Sequence, residues 1–401
     1  MNKNNLKGNK GEWSEIYIFL KLLNDGKLYI ADKNLNAMKN VFLNIIKILR
    51  ENYSYFTGKT VRILLNDEKL TAQIPLEKIH IYKDKIWSLI QSKVAGNSIV
   101  ASADISSFFD EMKISKLRAP SSKTDDIKME VQDYRNGINS VVGFSCKSSF
   151  SAEATLFNAS KDNTNFRFKV TGKINDKVME KFNSILSAKG KTGIGERMHF
   201  LKESKCGLEF IKACKNTAER NLILSGGIEL PEIVGAMLKF YYFENEGKSE
   251  NSSCSAALNY IVLKNISGYK YSDNYAIYER KIGTLLYDMF CGMRLSTDWN
   301  GKSSVNGGYI VVKNDGDVVA FHSTVADEFK QFLIRQLGFE SPSATRHNYM
   351  KIEKENGEYF INLNLQIRFK KIKETSFSFD NEYGSLCAVS YTHLTLPTKR
   401  I

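Results

Sequence analysis

Asp126, Ser145 and Lys147 stand near the outer ends of the segment DDIKMEVQDYRNGINSVVGFSCKSS, residues 125–149, while Glu12 and Glu15 lie within one helical turn in GEWSEIYIFLKLL at 11–23. An aspartate beside a lysine suits metal-assisted phosphodiester hydrolysis. The carboxylate is a hard oxygen ligand for a divalent cation, and the ammonium can orient water and balance charge developing on phosphate. Ser145 is a weaker ligand, so further acidic oxygen must come from elsewhere, and Glu12 or Glu15 can supply it. The same Asp–Lys pair would serve a plain surface hairpin, at roughly 0.2–1 kcal/mol, and these residues alone leave both uses open.

Positioning those groups requires a hairpin. Asn136-Gly137 predicts a two-residue turn, because both residues tolerate positive φ. That turn places Asp126 opposite Lys147 and Lys128 opposite Ser145, with Ile127, Met129, Val131, Val142, Phe144 and Cys146 on the apolar face. Around it, Trp13, Ile16, Tyr17, Leu20 and Leu23 predict a helix over 12–24. Further helices are expected over about 36–52, 76–93, 176–187, 231–243 (with Pro231 in its first turn), 275–290 and 325–337. Strands are expected at 61–65 and 359–369, and a second hairpin at 307–322 around Asp315-Gly316. The mixed stretch from Asp104 to Pro120 reads as a surface approach to the central hairpin. SSVNGGY at 303–309 lacks the spacing of a phosphate-binding loop and reads as a turn, and His322 at a strand end is not taken as a general base.

The chain has 401 residues, 42% hydrophobic, with a formal charge of +13. That composition belongs to the globular class, and the charge favours a polyanionic partner without choosing among them. No apolar run is long enough for a transmembrane helix and no secretory signal opens the chain, so a cytoplasmic protein without membrane association is expected. The six cysteines show no paired CxxC spacing and read as reduced thiols. The end of the chain, AVSYTHLTLPTKRI at 388–401, resembles translated sequencing-adapter sequence and is set aside.

Five separated segments carry a resemblance to one family: GEWSEIYIFLKLL at 11–23, DISSFFDEMKISKLRAPSSK at 104–123, VVGFSCKSS at 141–149, TLFNASKDNTNF at 155–166 and HNYMKIEKENGEYFINLNLQIRF at 347–369. In them the chain resembles the HpaII family of type II restriction endonucleases, within the PD-(D/E)xK nuclease superfamily. The resemblance implies an α/β fold: a nuclease core with a mixed central sheet flanked by helices, and additional α+β DNA-recognition elements. It implies a nuclease core over 1–175, a recognition or dimerisation region over 176–387 and a non-native tail over 388–401. It further implies magnesium-dependent hydrolysis of unmethylated duplex DNA at CCGG, and a cognate cytosine methyltransferase in the host. Asp126 takes the first acidic position and Lys147 the motif lysine, while Ser145 departs from the usual second acid. On this reading Asp126, the Cys146 carbonyl and Glu12 or Glu15 hold the metal, and Lys147 positions the attacking water. Degeneration to a catalytically inactive DNA-binding protein, or a structural nucleic-acid-binding protein, is the competing reading that Ser145 motivates.

For DNA contact, Lys113, Lys116, Arg118 and Lys123 form a basic approach to the hairpin. Arg346, His347 and the alternating face Asn362, Asn364, Gln366, Arg368 offer the directional donors and acceptors that base edges require. A palindromic target makes a homodimer, one site per strand, the economical arrangement.

Overall fold

Leu43, Ile45 and Ile48 are buried at near-alternate positions along AMKNVFLNIIKILR, and the segment is a 14-residue strand rather than the helix expected over 36–52. Its apolar positions fit a helical spacing too, but Val41, Ile45, Ile46 and Ile48 are β-branched and strands on both flanks supply ladder partners.

The structure is a computed structural model. It describes residues 6–32, 34–92, 98–117, 125–134, 137–148, 155–248, 251–302, 307–322 and 326–370, with the side chains of 147, 148 and 155 outside that description. The tail at 388–401 and the approach residues Arg118 and Lys123 also lie outside it.

The first part of the chain runs β1 (Lys7–Gly8), α1 (Lys10–Asp25), β2 (Lys27–Ala31), β3 (Ala37–Arg50), β4 (Tyr53–Phe56), β5 (Thr60–Leu65), β6 (Lys69–Pro75), α2 (Leu76–Gln91), β7 (Ile99–Val100), α3 (Ala103–Glu111), β8 (Ile127–Asp133) and β9 (Asn139–Ser148). After β10 (Thr155–Phe157) and β11 (Asn165–Gly172) come α4 (Asp176–Ser184), α5 (Ile194–Glu203), β12 (Cys206–Ala213), α6 (Asn216–Gly226), α7 (Leu230–Lys239), α8 (Cys254–Lys264) and α9 (Asn274–Phe290). The remainder is β13 (Gly308–Val312), β14 (Val318–His322), α10 (Ala326–Gln336), β15 (Leu337–Phe339), α11 (Ala344–His347), β16 (Ile352–Glu355), β17 (Glu358–Asn364) and β18 (Ile367–Phe369).

A mixed nine-stranded sheet, ordered β2-β14-β13-β9-β8-β3-β4-β5-β6, carries the hairpin, and an added β2–β3 pairing closes six of its strands into a ring. Because β13 and β14 join this sheet, its strands come from both sides of residue 175. The β13–β14 hairpin turns at Gly316, with φ 89°, as Asp315-Gly316 predicts. Alternate residues of β13 face opposite ways. Ile310 and Val312 enter the core under α1 and α2, whereas Tyr309 and Val311 enter a second core built from α4 to α10 and the smaller sheets.

Those smaller sheets, β12-β11-β17-β16 and β10-β18-β15, also correct the strand expected over 359–369. The chain leaves one sheet after Asn364 and enters the other at Ile367, so one apparent alternation serves two sheets. Among the described residues, no single helix is long and apolar enough to cross a membrane.

Candidate active site

The central hairpin forms with the expected faces but a different register. Ile127 opposes Phe144, Met129 opposes Val142 and Gln132 opposes Asn139, which brings Lys128 opposite Gly143 rather than Ser145. Asp133 donates its N–H to the Ile138 carbonyl (3.2 Å), and Gly137, at φ 68°, donates to the Asp133 carbonyl (2.8 Å). The loop is therefore longer than two residues, and the slip is two positions. A shift of two preserves which side chains share a face, so the apolar row stays inward.

The shift changes the partner of Asp126. Its N–H donates to the Phe144 carbonyl (2.9 Å), and its Oδ2 accepts from both Ser145 Oγ (2.9 Å) and the Cys146 N–H (2.7 Å). Beyond this point β8 has ended, and among the described residues β9 continues in ladder pairing with the parallel strand β13. The Asp126 carboxylate thus takes up a backbone donor that the departing strand would otherwise have satisfied. Two donors on one oxygen fix its orientation and leave Oδ1 outside these two bonds. Ser145 is 9% exposed, and its register partner on β13 is Tyr309. Lys147 belongs to β9 with Val311 as its backbone partner, and its side chain lies outside the described residues.

Gly143 permits this packing, because a Cβ there would come within 2.7 Å of the Asp125 Cβ. At Gly308, with φ 110°, a Cβ would collide with the Phe321 carbonyl, so the strand that flanks β9 also requires glycine at its start.

Helix α1 is placed by a capping box. Asn9 Oδ1 accepts from Glu12 N (3.0 Å) while Glu12 Oε2 accepts from Asn9 N (2.8 Å). Glu12 is therefore engaged at the helix N-terminus, whereas Glu15 sits one turn further in on a helix packed against β9. Trp13, Ile16, Tyr17, Leu20 and Leu23 are buried as the spacing predicts.

One residue here was not visible in the sequence. Arg50, at the end of β3, is 9% exposed, lies 5.7 Å over the Phe19 ring and donates from Nη2 to the Lys116 carbonyl. Burial lowers its pKa from the ordinary value, and the fields of Tyr55, Glu51, Glu15 and Cys146 act in the opposite direction. Its charge thus lies within the field of both Glu15 and Cys146. A basic residue closing a segment that also reads as a helix gives no sequence signal of burial.

A strand residue presents its N–H and C=O on one edge. Since the Cys146 N–H meets Asp126, its carbonyl leaves β9 toward the same side. One carboxylate and a nearby carbonyl fit magnesium, which keeps several waters and is held through one or two carboxylates. Among the described residues, no group of three His, Cys, Asp or Glu side chains could hold a metal ion.

The expected DNA-contact residues divide sharply. Lys113, half-buried at φ 58°, and the exposed Lys116 lie on the segment bound to Arg50. Arg346 is exposed on the short α11, and His347 accepts the Lys161 N–H at Nδ1 (3.2 Å). Burial, with Arg346 and Lys161 nearby, lowers the His347 pKa from its ordinary value.

Asn364 requires correction as a base contact. It is 0% exposed, and its Nδ2 meets the Lys161 carbonyl (3.3 Å), Thr164 Oγ1 (2.9 Å) and Asn165 Oδ1 (2.6 Å). Gln366 is likewise buried, donating to Glu340 and accepting the Ala159 N–H (3.4 Å), and Arg368 pairs with the same Glu340. Asn362 accepts the Met350 N–H on its carbonyl (3.0 Å) and the Cys214 thiol on its side chain (3.6 Å).

The sequence model of a family described as HpaII restriction endonuclease matches residues 9–369. The type II restriction enzyme HpaII of Haemophilus parainfluenzae is 34% identical over 371 residues, covering 90% of this chain and 98% of that protein. No solved structure matches the chain.

Proposed function

The chain belongs to the HpaII restriction endonuclease family, and on that premise we propose that it cuts unmethylated duplex DNA at CCGG with magnesium as cofactor. The observation that carries this reading is the Asp126 carboxylate, held on one oxygen by Ser145 Oγ and the Cys146 N–H where β9 runs beyond the end of β8. Asp126, the Cys146 carbonyl and Glu15 would hold magnesium, with Glu12 less available because it caps α1. When bound, the metal supplies Lewis-acid stabilisation of phosphate charge and acidifies water.

Within this site Ser145 orients the carboxylate instead of supplying a second one. Lys147 is assigned to position the attacking water and to balance charge on the phosphoryl oxygens. Lys113 and Lys116, with Arg118 and Lys123 further along, are assigned to the DNA backbone, and Arg346 to base contact. Functionally, 1–175 is assigned to catalysis, together with β13 and β14, and the rest of 176–387 to recognition or dimerisation. A palindromic site suits a homodimer with one catalytic centre per strand. A cognate cytosine methyltransferase would protect host DNA.

The test uses duplexes containing CCGG and controls altered at each base, with magnesium or with EDTA. Cuts confined to CCGG and abolished by EDTA are expected. Asp126→Ala and Lys147→Ala should lower the rate by about 10²-fold or more, as removal of transition-state charge stabilisation does, with the fold retained. Ser145, in place of a second acid, favours one competing reading: a catalytically inactive DNA-binding protein. Tight binding to CCGG with the duplex left intact in magnesium would establish it instead.

A further inference from the structure

Arg50 occupies a position where the sheet asks for an apolar residue. Leu43, Ile45 and Ile48 precede it on the buried face of β3, yet the sequence places a guanidinium there, nine-tenths buried, with an Nε that has no hydrogen-bond partner among the described residues. Burying an arginine with a donor unmet is unfavourable, and an apolar residue of similar volume is often neutral or better. Stability therefore does not account for it.

What Arg50 holds is one short segment, and its neighbours hold the same one. Its Nη2 donates to the Lys116 carbonyl; Glu51 Oε1 and Oε2 accept from Ser115 N (3.3 Å) and Ser115 Oγ (2.8 Å); Tyr55 donates its hydroxyl to the Met112 carbonyl (2.9 Å). Three side chains from the β3–β4 hairpin thus grip 112–116. The same stretch of β3 is registered to the hairpin, with Leu49 opposite Lys128, two residues from Asp126.

We propose that Arg50 is a positioning residue that clamps the 112–116 segment to the catalytic hairpin and so sets where the Lys113 and Lys116 ammonium groups meet the DNA backbone. This rests on the assignment of that segment to DNA. Phosphate contacts fix a duplex in register without reading sequence, so the clamp decides how tightly the duplex is held beside the hairpin, in ground and transition state alike. A planar guanidinium fork suits the role better than a lysine, because it can reach a carbonyl while its face stays on Phe19.

Arg50→Met tests this. The variant should melt at or above the wild-type temperature and be cut by trypsin at Lys113 and Lys116 about fivefold faster as free protein, since the opening of that segment is no longer opposed by the clamp. On a CCGG duplex its KM should rise about tenfold with kcat within about twofold, the loss of aligned phosphate contacts. Arg50→Lys should fall between. If Arg50→Met does not fold, Glu51→Ala, which removes the Ser115 contacts from an exposed side chain, should show the same faster digestion and raised KM. Unchanged digestion with unchanged KM would overturn the proposal, as would a fall in kcat with no change in digestion. Should the wild-type protein fail to cut DNA, the function reading falls, and the digestion arm still decides whether the clamp exists.

Discussion

Asp126 and Asn364 are both polar residues at the end of a β-ladder, each accepting or donating more than one hydrogen bond, yet they sit in opposite circumstances. Asp126 stands at the end of β8, where the β8–β9 ladder ends and β9 runs on, so its carboxylate is oriented by two donors from β9. Asn364 stands where β17 stops and the chain turns into a second sheet, and its amide is enclosed by Lys161, Thr164 and Asn165 with the Tyr242 hydroxyl on its carbonyl (3.0 Å). An ending strand exposes unmet backbone groups in both places. At the hairpin the side chain that meets them keeps one carboxylate oxygen outside those two bonds; at the sheet junction it is consumed by the junction.

That contrast is broken most directly at Asn364. Asn364→Ala removes a buried amide from three acceptors and should destabilise the fold by about 1–3 kcal/mol, the cost of leaving buried groups unsatisfied. Denaturant unfolding measures it. The discrimination between CCGG and altered duplexes should stay as in the wild type, and a change in base preference with full stability would restore Asn364 as a base contact.

Ser145→Ala sharpens the other side. It deletes one of the two donors on Asp126 Oδ2 and keeps the Cys146 N–H. One hydrogen bond to a charged carboxylate is worth about 1.5–3 kcal/mol. Single-turnover cleavage should therefore slow by about 10- to 10²-fold at most, less than with Asp126→Ala, with the fold retained. A loss as large as that of Asp126→Ala would mean that Ser145 acts on the reaction itself.

The difference between the two regions also marks what the sequence could show. The faces of the hairpin were legible because a period of two survives a slip of two, but the register was not, since loop length decides it and Asn136-Gly137 alone argues for the shorter turn. Helix α1 was legible from its apolar spacing, and the Asp315-Gly316 hairpin from its turn. The strand β3 was misread because AMKNVFLNIIKILR satisfies both periods, and only the flanking ladders choose between them. Its misreading hid Arg50 as well. Along 359–369, alternating polar residues read as a face for base edges. Asn364 and Gln366 show that a polar row can equally be the buried seam between sheets, because burial depends on partners remote in sequence.

The smallest effect concerns His347, which lies beside that seam. The Lys161 N–H donates to its Nδ1, a bond only the unprotonated nitrogen can accept, and burial together with Arg346 and Lys161 holds its pKa below the ordinary imidazole value. A histidine whose folded pKa is depressed binds its proton more readily when unfolded. Its contribution to stability is therefore full above the unfolded pKa of about 6.5 and declines as pH falls from there through the lower folded value. His347→Gln should flatten that part of the stability–pH curve in denaturant unfolding and leave neutral-pH stability nearly unchanged. An unaltered slope would show that the ring is free to protonate in the folded protein, which would separate it from the structural seam and place it with Arg346 on the DNA-facing side of the comparison.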